Sequence, residues 1–208
     1  MNSIFLCGTV NGECRFSHAA YGEKFFVFQI DVKRTSGVVD KIPCIASEPF
    51  VRLINNGERI SIDGEIRTRR KVNEDNSISS MTFVFVRNVL DPSDKDENCV
   101  NAMEAVICRV SDIRTVSNGE RELVEFLCAS HRDGRAISDY LHCIAWRRNA
   151  KMISAALNVG DKINFSGRLQ SRDYVKRYED GRVEEKTTYE VSIASFEMFS
   201  EENEGGDL

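Results

Sequence analysis

Apolar and polar positions alternate along most of this chain in short runs, the two-residue period of half-buried strands rather than the wider spacing of long helices. Ile4 to Val10 reads as a first apolar strand. Phe25 to Val32 ends in strict alternation, with Phe28, Ile30 and Val32 set against Gln29, Asp31 and Lys33, so one face is buried and the other wet. Lys41 to Ala46, Glu58 to Lys71 and Met81 to Val89 follow. A second series comes at 104–110, 122–130, 139–146, 161–178 and 183–199. Each series is interrupted by one short helical stretch between its third and fourth strands. The first runs from Pro49 to Ile54, with proline suited to the opening turn and Asn56-Gly57 to the stop. The second runs from Asn149 to Leu157 and stops near Gly160.

The two series are copies. Cys44-Ile45-Ala46 is followed by Gly57-Glu58-Arg59-Ile60-Ser61-Ile62-Asp63-Gly64. Cys143-Ile144-Ala145 is followed by Gly160-Asp161-Lys162-Ile163-Asn164-Phe165-Ser166-Gly167. The two glycines stand seven residues apart in both copies, and the copies are offset by about 100 residues. Five strands with a helix between the third and fourth is the order of an OB barrel. The expected fold is therefore all-β: two tandem OB-fold five-stranded barrels, over 1–90 and 102–199. Residues 91–101, polar, acidic and proline-bearing, read as a linker, and 200–208 as an acidic flexible tail.

Charge fits that division. The net charge of the whole chain is −5, yet residues 1–90 hold 12 bases against 10 acids and residues 102–199 hold 15 of each. The excess of acid lies in the linker and tail, which leaves both repeats free to carry basic grooves. Seven cysteines without CxxC spacing read as small core hydrophobes. His142 and Cys143 are adjacent on a strand and so point to opposite faces, which argues against a shared metal ion. No cofactor is expected. The three histidines are scattered, and no phosphate-cradling glycine loop or nucleophile–base order occurs, so the sequence offers no enzyme. No apolar run nears the ~20 residues that span a bilayer, and a basic secretion start is absent; the expected location is cytoplasmic, with the nucleoid.

Several stretches carry a family resemblance. Ile144-Ala145-Trp146-Arg147-Arg148-Asn149-Ala150, Gly167-Arg168-Leu169-Gln170-Ser171-Arg172-Asp173-Tyr174 and Tyr189-Glu190-Val191 resemble, in order and spacing, the bacterial single-stranded DNA-binding protein family. In the first repeat, Glu13-Cys14-Arg15-Phe16-Ser17 and Phe28-Gln29-Ile30-Asp31-Val32-Lys33-Arg34 resemble it more weakly. The resemblance implies sequence-independent binding of unpaired DNA in replication, recombination and repair. Because that family assembles four OB folds, it also implies that two of these chains form a homodimer. The family's acidic tip recruits replication and repair proteins; here the tail ends Gly205-Gly206-Asp207-Leu208, without the terminal Pro-Phe.

Binding any base requires rings for stacking and cations for phosphates. The resemblance places stacking rings at Tyr140, Trp146 and Tyr174. Tyr140 and Trp146, six apart, share a strand face. Cations stand nearby in sequence at Arg147, Arg168, Arg172 and Lys176. The first repeat answers with Lys33, Arg34, Arg67, Arg69, Arg70 and Lys71, but has Lys41 in place of Tyr140, Ser47 in place of Trp146 and Lys71 near the place of Tyr174. The second repeat is thus expected to do most of the stacking, and the first to hold phosphates or pack. A competing reading, an OB scaffold in a primosome-like or phage replication complex, draws on that loss of rings.

Overall fold

A computed structural model describes residues 1–72, 78–90, 100–118, 121–132, 134, 136–178 and 181–199. The chain is all-β with two short helices. The strands are β1 (Asn2–Ala20), β2 (Glu23–Lys33), β3 (Val39–Ser47), β4 (Arg59–Val72), β5 (Ile78–Leu90), β6 (Val100–Asn118), β7 (Arg121–His131), β8 (Ser138–Trp146), β9 (Lys162–Arg177) and β10 (Val183–Met198). Helix α1 (Glu48–Val51) lies between β3 and β4, and α2 (Arg147–Ala156) between β8 and β9. Each helix lies between the third and fourth strands of its half, α1 starting one residue and α2 two residues earlier than expected, and α1 ends at Val51 rather than Ile54. The strands are longer than alternation alone gives. β1 runs past Val10 through a bulge at Gly12 (φ 87°), since residues 15–20 still pair with β2.

In the N-terminal half, β1 pairs antiparallel with β2, β2 with β3, β4 with β5 and β4 with β1, and β3 meets β5 in parallel. These pairings close on themselves, a five-stranded OB-like barrel filled by Leu6, Ile30, Ile42, Ile62, Ile66 and Val84. In the C-terminal half the neighbours run β6–β7–β8–β10–β9, with β9 returning to β6. Met103, Leu141, Ile153, Ile163 and Leu169 are buried there. Five of the six described cysteines, Cys7, Cys44, Cys108, Cys128 and Cys143, are buried thiols. Burial pushes the Cys108 thiol up to about 11 and raises those of Cys44 and Cys143 as well, so these sulfurs stay protonated at neutral pH.

The repeated glycine pair has a structural cause. Gly57 and Gly160 close turns at φ 82° and 102°, a region that favours glycine. Gly64 and Gly167 sit where another strand's backbone crosses closely. A Cβ on Gly64 would stand 2.6 Å from the carbonyl oxygen of Phe85, and one on Gly167 would collide with that of Ser192.

The chain divides into two compact units whose boundaries differ from those of the repeats. The N-terminal unit comprises Ser3–Ala102 and Leu169–Glu190; the C-terminal unit comprises Met1–Asn2, Met103–Arg168 and Val191–Leu208. The outer parts of β9 and β10 therefore belong with the first five strands. Most of the acidic linker and all of the tail lie outside the described residues.

Candidate nucleic-acid interface

The C-terminal unit presents its rings from β8. Asp139, Leu141, Cys143 and Ala145 point inward and are buried, so Tyr140, His142 and Trp146 face out. Tyr140 is 48% exposed and Trp146 42%. Across the ladder Tyr140 meets Ala129, a side chain too small to cover a ring, and Trp146 meets Leu123. The Trp146 indole has no hydrogen-bond or ring partner among the described residues. Arg147, the next residue, takes a left-handed conformation (φ 53°) that turns the chain into α2 at once. Arg147 and Arg148 are exposed on that first turn, and Arg168 is exposed on β9. None of the three pairs with a carboxylate among the described residues.

Tyr174, Arg172 and Lys176 lie in the N-terminal unit, so the rings and cations expected in one groove on the second repeat are divided between units. Arg172 stands 3.4 Å from the buried Glu190 carboxylate, which also accepts a hydrogen bond from Gln170 at 2.9 Å. Lys176 lies 4.5 Å over the Tyr178 ring, and Arg182 4.9 Å over the same ring. Tyr174 is 38% exposed and stacks on no other ring or cation among the described residues.

The cations expected of the first repeat have different fates. Arg69 and Arg70 are exposed on β4 and Lys33 at the end of β2, with no carboxylate partner among the described residues. The Lys71 side chain lies outside the described residues. Arg67 is largely covered: it pairs with Glu65 at 3.1 Å and lies 3.9 Å over the Phe85 ring. Arg34 is committed to the fold. Its Nε donates to Asp40 Oδ2 at 2.7 Å and its Nη2 to Oδ1, and Asp40 is 1% exposed.

Two features escape alternation and composition. The second repeat carries the same fork, with Arg132 Nε donating to the buried Asp139 at 2.7 Å. Arg34 and Arg132 stand six and seven residues before the aspartates they hold, a spacing readable from the aligned repeats. The other feature is a ring on the neighbouring strand. Where Trp146 stands opposite Leu123, Ser47 stands opposite Phe25. Phe25 stacks on His18 (centroids 4.9 Å apart) and tilts against Phe85 (5.9 Å). These rings cover one another, so they pack rather than present an open stacking face.

The single-strand binding protein family matches residues 103–199. Single-stranded DNA-binding protein A of Bacillus subtilis is 29% identical over 77 residues, 37% of this chain and 42% of that protein. Single-stranded DNA-binding protein 1 of Streptococcus pyogenes is 34% identical over 44 residues, 21% of this chain and 34% of that protein. The chain thus spans less than half the length of these curated relatives. The single-stranded DNA binding protein from Thermus aquaticus superposes with a TM-score of 0.73 at 16% identity, covering 96% of this chain and 93% of that one, a likeness of fold. The similarity to the single-strand binding protein family thus lies in residues 103–199, a little under half of the chain.

Proposed function

We propose that this chain binds single-stranded DNA without regard to sequence, serving to cover unpaired strands in replication, recombination and repair. The observation that carries the reading is Trp146: an indole left open at the outward face of a strand that also presents Tyr140 at its other end, and followed at once by two exposed arginines. Base-on-ring stacking is worth ~1–3 kcal/mol per base and tolerates every base, because each has a π-face. Arginines that meet phosphates add affinity without choosing sequence. The repeated neighbour order supports reading both halves as OB barrels in tandem, with 1–90 and 102–199 as the repeats. Two chains would then supply four barrels as a homodimer.

The test is a fluorescence titration with oligo-dT. Stacking of a base on the sole tryptophan should quench its emission, and Trp146→Ala should weaken binding about tenfold or more. Unchanged emission with unchanged affinity in the variant would remove Trp146 from the interface. A chain that binds no oligo-dT at any salt concentration would favour the protein-scaffold reading.

A further inference from the structure

The turn that follows β8 is held in a conformation that its own sequence disfavours. Trp146 is extended (φ −120°, ψ 149°), and Arg147 then takes φ 53°. Residues other than glycine rarely adopt that region, and they stay there where the surrounding structure fixes them. The usual device for opening a helix is missing, because the Trp146 indole at the cap position has no acceptor to offer the first turn of α2. Two residues after Arg147, the Asn149 side chain supplies another fastening. Its Nδ2 donates to the backbone carbonyls of Ile193 at 3.2 Å and Ala194 at 2.9 Å. Just before this point β10 runs parallel to β8, with Val191 beside Cys143 and Ser192 beside Ile144. The amide therefore ties the first turn of α2 to the strand next to the one that carries Trp146. Resting on the proposed binding of single-stranded DNA at Trp146, we infer that Asn149 is a positioning residue for that indole, clamping the strained turn so that the ring is oriented before a base arrives.

The first repeat provides the contrast. Ser47 stands in place of Trp146, Glu48 in place of Arg147 and Phe50 in place of Asn149. Among the described residues, the non-glycine residues with positive φ are Tyr21, Ile107 and Arg147. Glu48 therefore carries no such strain, and the side chain of Phe50 has no donor. Strained turn and amide clamp occur together in the repeat that offers an open indole, and both are absent from the copy that has a serine there. Ala150 and Ile153, buried on α2, already hold the helix to its barrel. What the amide adds is direction at the N-terminal turn, next to the ring. A ring fixed in advance gives up less conformational freedom when a base stacks on it, and more of the stacking energy appears as affinity.

The experiment uses the full chain and its sole tryptophan as reporter. Asn149→Ala should weaken oligo-dT binding about fivefold and lower the emission anisotropy of Trp146 in the free chain, because the indole then samples more than one orientation. Trp146→Ala/Asn149→Ala should bind within about twofold of Trp146→Ala alone, since a residue that acts through the indole has nothing left to place. Asn149→Asp keeps the shape of the side chain and suits a helix N-terminus, but donates to no carbonyl. Its free chain should show the same loss of anisotropy, which a residue that merely secured the helix would not produce. Unchanged free-chain anisotropy in either variant, or losses that multiply in the double variant, would overturn the clamp while leaving Trp146 at the interface. A Trp146→Ala chain that binds as tightly as the unaltered one would instead overturn the reading of Trp146 on which the clamp depends.

Discussion

Arg34 and Arg132 show how the same residue type takes opposite roles a few positions apart. Both guanidinium groups fork onto aspartates that are 1% exposed, while Lys33, next to Arg34, is exposed and without a carboxylate partner among the described residues. Removing one partner of a buried ion pair leaves the other charge stranded in a poorly solvated site, at a cost of about 3–5 kcal/mol. Arg132→Ala should therefore shift the urea midpoint downward by a corresponding amount, whereas Lys33→Ala should leave it in place. Alternation in the sequence distinguishes inside from outside, and it correctly turns Tyr140 and Trp146 outward. It does not distinguish an arginine that meets solvent from one that bends back onto its own hairpin. That depends on which aspartate the turn brings across. Alternation marks Arg34 only as a cation; the Arg–Asp spacing shared by the two repeats is what marks it as structural.

At the scale of the element, β4 carries the densest basic run, and its members divide by position along the strand. Arg67 is tied down by Glu65 and Phe85, whereas Arg69 and Arg70, nearer the free end, pair with no carboxylate among the described residues. If these two meet phosphates, Arg69→Ala/Arg70→Ala should reduce the slope of log K against log salt by roughly 1.4, about 0.7 for each phosphate no longer neutralised. Arg67→Ala should instead disturb stability, because its stem and guanidinium no longer pack on the ring. The paired β9 and β10 were legible as strands from their alternation. Their attachment was not, because it runs from the Ser171 backbone amide to Asp40 and from the Lys41 backbone amide to the Ser171 hydroxyl, and a backbone donor leaves no mark in a residue pattern. The cross-strand exchange of Phe25 and Trp146 was hidden for a related reason: an alignment compares a position with its copy, never with its neighbour on the next strand.

For the whole molecule, duplication was the most legible property, because the glycine spacing is fixed by backbone crossings that both copies must satisfy. Oligomeric state follows from the proposed assembly of four barrels: light scattering on the full chain should return twice the 23.6 kDa mass of one chain, and a monomeric mass would remove the homodimer. No described helix is long and apolar enough to cross a membrane.

The N-terminal unit is built from two stretches of chain that are far apart in order of synthesis, Ser3–Ala102 and Leu169–Glu190. On a ribosome adding about 5–20 residues per second, the earlier stretch emerges several seconds before the piece that completes it. Until then Asp40 lacks the Ser171 amide. The part of this unit that is made first is thus completed only once residues 169–190 have followed it, and a nascent chain holds it unfinished until then.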